Sequence, residues 1–236
     1  MHRPTPVFIV TSSRPRVGKT LVARALTEYF CAQHRPVAAF DVNPDEFKLI
    51  EHLPAYTAAA TLNDTRGEMA LFDQLVLEDQ VPKVVDLGHQ PFERFFSVMQ
   101  QIGFIAEVRR RAIAPMVLFV ADPAERARQG YAFLMERLPE LALVPVFNEN
   151  VPQPARYRAN FPSTRRGGEP IGIPALTPVV RSVVDRPNFS FVSYVQSSND
   201  NTSELYQWLG RVFISFRELE VRLLLGGIAP QLKQPA

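Results

Sequence analysis

The chain has 236 residues, enough to bury a full α/β core as one domain, and its 46% hydrophobic content excludes a disordered chain. With 26 basic against 24 acidic residues the net charge is +2, so no global field demands a nucleic-acid or membrane partner. One cysteine, Cys31, excludes an internal disulfide and a Cys-rich zinc or iron–sulfur site; it reads as a small buried hydrophobe.

Pro6-Val7-Phe8-Ile9-Val10 predicts a buried strand, and residues 21–30 predict an amphipathic helix. Between them, Ser13-Arg14-Pro15-Arg16-Val17-Gly18-Lys19-Thr20 reads as a phosphate-binding loop with an irregular front half, Ser13 standing where G-x-x-x-x-G-K-[ST] has its first Gly. Strand, loop and helix are the context that this motif needs. Backbone N–H groups of such a loop and of the helix start point at a polyphosphate, which makes Ser13, Arg16, Val17, Gly18, Lys19, Thr20 and Leu21 the candidate contacts. Lys19 reaches the β and γ phosphates, and the Thr20 hydroxyl suits Mg²⁺. The motif therefore predicts a nucleoside triphosphate.

Further along, residues 35–41 form an apolar strand pattern that ends in Asp41, and helical character follows over 46–53. Residues 55–61 suit a short strand or a loop, 63–67 a turn, and 68–79 a helix. Pro82-Lys83-Val84-Val85-Asp86-Leu87-Gly88 is a second strand ending in an acid. Residues 92–111 carry one long helical period, 114–120 a buried strand, 124–138 a helix, and 141–147 a strand ending at Asn148. Apolar strands alternating with helices predict a three-layer α/β sandwich with a mostly parallel central sheet, the P-loop NTPase fold. Residues 149–170, rich in Pro, Gly and Arg, predict an irregular loop, and 172–176 a short edge strand. Thr177-Pro178 opens a helix to about 185, residues 188–198 fit no single element, and a last amphipathic helix runs from about 203 to 225, stopped by Gly226-Gly227. No apolar run approaches the ~20 residues that span a bilayer. The first residues enter the first strand pattern directly, so a cytoplasmic protein is expected.

Four places together resemble the ParA/MinD-like group of P-loop ATPases, over roughly residues 6–185. They are the loop Arg14-Pro15-Arg16-Val17-Gly18-Lys19-Thr20, the switch-like Phe40-Asp41-Val42-Asn43-Pro44-Asp45, the strand Val84-Val85-Asp86-Leu87-Gly88, and Val144-Pro145-Val146-Phe147-Asn148. The resemblance implies ATP and Mg²⁺ as cofactors. It gives Lys19 to the phosphates, Thr20 and (through water) Asp86 to the metal, Asp41 to the switch, and Asn148 to adenine. Arg14 stands at the family's signature Lys, which reaches a partner subunit's phosphates; it suits the same task or a solvated loop position. Pro15 and Arg16 replace two glycines, and Asn43 replaces the second switch acid. Asn cannot take a proton, so hydrolysis is expected to be slow or partner-stimulated. His89 follows Gly88 and reads as a surface His or as one facing the γ-phosphate.

The implied function is a nucleotide-dependent homodimer that binds non-specific DNA, a DNA-binding adaptor protein or, less in keeping with the sequence, a membrane, in DNA partition or positioning. An ATP-dependent small-molecule ligase of the dethiobiotin synthetase type and a non-hydrolysing nucleotide-binding scaffold are the alternatives. Arg109-Arg110-Arg111 reads as a solvated helix end or, with Arg165, Arg166, Arg181 and Arg186, as a DNA-facing patch. The last helix packs on the sheet or binds a partner.

Overall fold

A computed structural model of the chain describes residues 4–44, 48–151, 157–162, 168–198 and 200–228. Seven strands form one sheet in the order β3-β2-β4-β1-β5-β6-β7, all parallel. They are β1 (Thr5–Thr11), β2 (Ala38–Val42), β3 (Thr57–Ala59), β4 (Lys83–Leu87), β5 (Ile113–Val120), β6 (Ala142–Asn148) and β7 (Ile171–Ile173). The sheet is buried on both faces, which is why its strands read as continuous apolar runs rather than as alternating ones. Along β1, Phe8 and Val10 face one core and Val7 and Ile9 the other.

The first core is closed by α1 (Lys19–Ala32), α2 (Leu49–His52), α7 (Pro178–Val184), α8 (Phe191–Ser197) and α9 (Glu204–Ile228). The second is closed by α3 (Thr65–Leu75), α4 (Phe92–Gln101), α5 (Phe104–Arg110) and α6 (Glu125–Arg137). The architecture is therefore the expected three-layer sandwich. Chain leaving β1 crosses one face toward β2, while chain leaving β5 crosses the other face toward β6. Such a divergence opens a crevice beyond the carboxyl ends of the strands, where open α/β sheets bind ligands.

Several boundaries differ from the sequence reading. The period over 92–111 is two helices, because Gly103 adopts φ 64° and a left-handed residue breaks the backbone ladder. The turn expected at 63–67 is already the start of α3, capped by the Asp64 side chain, which accepts from the Gly67 N–H. Residues 191–197 are helical, capped by Ser190. The last helix runs through Gly226 and Gly227 to Ile228. Parts of two expected features, the helix start at 46–47 and the loop segments 152–156 and 163–167 with Arg165 and Arg166, lie outside the described residues.

The apolar face of α9 is spent on the core: Leu205, Trp208, Leu209, Val212, Phe216 and Leu219 are buried there, and the Trp208 indole N–H donates to the Pro174 carbonyl at 2.7 Å. Among the described residues no helix is long and apolar enough to cross a membrane. Arg109, Arg110 and Arg111 sit before β5, at the amino-terminal edge of the sheet, in ion pairs with Glu140 and Glu107. Eight residues of β5 at about 3.3 Å each separate them from the carboxyl-terminal edge. They form no common face with Arg181, which belongs to the crevice.

One buried ion pair fastens the α7–α8 segment to α1. Arg24 and Glu28, one helical turn apart, are both about 2% exposed. The Arg24 guanidinium donates to Glu28 (3.3 Å), to the Val184 carbonyl (2.7 Å) and to the Phe189 carbonyl, and it lies 4.4 Å from the Phe191 ring centre. Glu28 in turn accepts from the Ser190 hydroxyl (2.7 Å) and the Val192 N–H (2.9 Å). Removing one member of such a pair strands a buried charge. Glu28→Ala is expected to lower unfolding free energy by about 3–5 kcal/mol in urea titrations; a loss below about 1 kcal/mol would mean that Arg24 reaches water.

Candidate functional site

At the carboxyl end of β1 the chain turns through residues 12–18 and enters α1 at Lys19. Gly18 holds φ 94°, a left-handed conformation, and a Cβ there would stand 2.3 Å from the Asn148 amide nitrogen, so glycine is required twice over. No side chain caps α1 and its first turn holds no acid, which leaves the amino end of a 14-residue helix, with its partial positive charge, facing the crevice. Arg16 also takes a left-handed φ of 59° and is exposed, while Val17 is buried beneath the loop.

Ser13, at the position of the motif's first Gly, is accommodated by an unforeseen partner. Its hydroxyl donates to the Arg126 carbonyl at 2.7 Å, and its side chain lies against Gly130 of α6. A Cβ on Gly130 would meet Ser13 Oγ at 2.5 Å and Cβ at 2.8 Å. The side chain that the loop gained is matched by one that α6 lacks.

Lys19 folds back across the loop, its ammonium donating to the Arg14 carbonyl at 2.7 Å. Burial pushes its pKa down to about 8, against the pull of Asp86. The Thr20 hydroxyl donates to Asp86 Oδ2 at 2.7 Å. Asp86 ends β4 fully buried, beside Asp41 in the register of β2 and β4. Burial pushes its carboxyl up to about 7; the Thr20 hydrogen bond and the Lys19 charge oppose this, and Asp41 reinforces it. Its second oxygen, Oδ1, is buried without a hydrogen-bond partner. An orphaned carboxylate oxygen beside a hydroxyl fits a hard divalent cation that keeps its waters, so Thr20 and Asp86 can hold Mg²⁺. Among the described residues no group of three His, Cys, Asp or Glu is placed to hold a metal, so the remaining ligands would come from water and phosphate.

Three other residues of the expected site are bonded to the scaffold, and of them Asn43 also lines the cavity described below. Asp41 accepts from the Leu49 (2.8 Å) and Ile50 (3.2 Å) N–H groups at the start of α2 and from the Asn43 amide (2.7 Å). Asn43 also donates to the Asp86 carbonyl at 3.2 Å. Asn148, nearly fully buried, donates to the Val17 carbonyl (2.9 Å) and accepts from the Asn150 N–H (3.1 Å) and amide (2.8 Å). It braces the loop from below and stands apart from the cavity lining. Arg14 turns away from Lys19's side of the loop toward Asp122, at 3.5 Å, and remains 41% exposed.

Over the loop lies a cavity of about 580 Å³. One end is walled by Pro15, Arg16, Gly18, Lys19 and Thr20, and the opposite rim by Asn43, Pro44 and the 88–91 turn. The rest extends along α1 past Leu21 and Arg24 to Lys48, His52, Arg181 and Asp185. Of these, Arg24, His52, Arg181 and Asp185 had not been singled out from the sequence as pocket residues. The i,i+4 spacings of Arg24 with Glu28 and of Arg181 with Asp185 were their visible signal. The chain matches no model of a known protein family, and no curated protein is detectably similar to it.

Two predictions follow from this geometry. Helix propensity favours Ala over Gly by about 1 kcal/mol, yet Gly130→Ala is expected to destabilise by about 1–2 kcal/mol through overpacking against Ser13. In a Ser13→Gly background the same change should become neutral or stabilising, a coupling that a double-mutant cycle reads directly. For Asp86, the folded-state pKa lies above the unfolded one, so the folded protein holds the extra proton between about pH 4 and 7 and loses stability as pH rises through that window. Asp86→Asn should therefore stabilise metal-free protein by roughly 2–4 kcal/mol at pH 8, at about 1.4 kcal/mol per pKa unit, with the gain shrinking toward pH 5; thermal melts in EDTA check it.

Proposed function

We propose that this chain is a Mg²⁺-dependent, ATP-binding switch of the ParA/MinD kind, with slow or partner-stimulated hydrolysis, acting in DNA partition or intracellular positioning. The observation that carries the reading is the loop itself. Gly18 is held left-handed, the amino end of α1 is open, Lys19 lies across the loop, and the Thr20–Asp86 pair leaves one carboxylate oxygen without a partner, all beneath a cavity rich in cations.

In this reading the Lys19 ammonium exchanges the Arg14 carbonyl for phosphate oxygens, a stronger, charge-assisted partner. Backbone N–H groups at the start of α1 hold the phosphates in place. Thr20 and Asp86 orient the cation, which when bound neutralises phosphate charge and templates the reacting oxygens. Asp41 does not act on water: its carboxylate is occupied by α2 and Asn43. Asn43 lines the cavity and can orient a water but cannot accept its proton, which fits slow turnover. Arg14, partly exposed at the loop's outer edge, is free to reach a second copy's phosphates once it leaves Asp122. DNA or a DNA-binding adaptor is the partner class favoured, since the apolar face of α9 is already in the core.

Light scattering after size exclusion tests this. With Mg²⁺ and ATP, the 26.6 kDa mass of the wild type should double; with ADP, or in Lys19→Ala with ATP, it should not. A mass blind to nucleotide in a protein that still binds ATP would remove the switch and leave the ligase or scaffold readings.

A further inference from the structure

The cavity has two chemically different ends. At the loop the charged and backbone groups are donors and cations: the N–H groups at the start of α1, Lys19 and Arg16. About 7.5 Å further along α1, five residues at 1.5 Å each, the lining changes. There Arg24 of α1, Lys48 and the His52 imidazole of α2 line it, and the Arg181–Asp185 pair at the end of α7 closes the far side. Burial, with Arg24 adding to it, holds His52 below its usual pKa, so its ring is neutral at pH 7. Asp185 is more than half exposed and paired to Arg181 at 3.3 Å through a single guanidinium nitrogen. A ligand filling the whole cavity carries phosphates at one end and, at the other, a planar or hydroxylated neutral group that offers hydrogen-bond donors. Asn148 is not available for that group: it lies beneath the loop with its amide bonded to Val17 and Asn150.

Resting on the nucleotide reading above, we infer that the α1–α2–α7 end of the cavity binds the nucleoside half of the nucleotide. Asp185 accepts from ribose hydroxyls or an exocyclic amine, Leu21 and the His52 ring supply flat contact, and Asn148 is a brace for the loop. Arg24 shapes this end from behind, because its guanidinium is already shared among Glu28 and two carbonyls. The base is thereby read by residues that follow β2 and β7, and not by the end of β6.

Calorimetric titration with two ligands, MgATP and inorganic tripolyphosphate with Mg²⁺, separates the two ends. Asp185→Asn and His52→Ala are expected to weaken ATP by about tenfold each, the scale of one lost charged or buried contact, and to leave tripolyphosphate unchanged. Lys19→Ala should weaken both ligands. Photolabelling with 8-azido-ATP should mark peptides around residues 48–56 and 178–190, a readout that does not depend on any variant folding. If both substitutions leave the affinity ratio of ATP to tripolyphosphate unchanged and the label falls near Asn148, the inference is overturned while the phosphate loop stands. A label absent from both regions, with ATP still displaced by tripolyphosphate, would overturn it too and give this end of the cavity to a separate substrate. Failure of the wild type to bind either ligand would overturn the nucleotide reading itself.

Discussion

A fully buried carboxylate at the end of β4 is the constraint around which the rest of the molecule is arranged. Asp86 is cut off from water, and the rise in its pKa is opposed by the Thr20 hydroxyl, the nearby Lys19 charge and the Asn43 amide. Lys19 and Thr20 both open α1, and Asn43 follows β2. Thr20 requires α1 to start where it does, which requires Gly18 in a left-handed turn, which in turn requires the bracing by Asn148 from β6. Asn43, bonded to the Asp86 carbonyl, requires Asp41, which requires α2. Four strands and two helices thus converge on one acid, an arrangement that is costly for stability and useful for holding a cation.

Bracing of this kind also divides the crevice into fixed and movable parts. The loop of residues 12–18 is tied down from beneath by Asn148 and from the side by Ser13 against Gly130. Among the described residues, the Arg14 side chain has one ion pair, at 3.5 Å to Asp122, and the Lys19 ammonium one hydrogen bond, to a carbonyl. A ligand arriving at the loop therefore orders few groups, so little of its binding energy goes to conformational entropy. The wall formed by the α7–α8 segment is likewise fixed, because Arg24 and Glu28 bind its backbone carbonyls, an N–H and a hydroxyl from within the core.

Much of this was legible in the sequence because it depends on local chemistry. Apolar runs ending in Asp41, Asp86 and Asn148 located three strands and the edge on which the site lies, and Gly-Lys-Thr after an apolar run located the loop. What was hidden depends on long-range partners. Asp41 and Asn148 occupy the expected positions, yet Asp41 is taken up by the start of α2, 8 and 9 positions on, and Asn148 by Val17, 131 positions back, partners that no spacing rule connects. The break at Gly103 was lost because apolar periodicity continues across it. The Gly226-Gly227 pair was read as a stop, but α9 is secured by Trp208, Phe216 and Leu219, and packing outweighs the cost of two glycines. Of the two readings of Arg109–Arg111, the solvated helix end is what the structure has; a patch shared with Arg181 fails because distance in the sequence says nothing about which edge of a parallel sheet a residue reaches.

The sheet's two margins carry a further consequence. Both edge strands, β3 and β7, are only three residues long, while the strands between them have five to eight. A three-residue edge offers too few free backbone groups to template another strand, so growth of the sheet from one molecule into the next is suppressed at both ends. Among the described residues, that leaves side chains on loops and helices as the surface for association between copies of this chain, in contacts that form and come apart without disturbing the backbone ladder beneath.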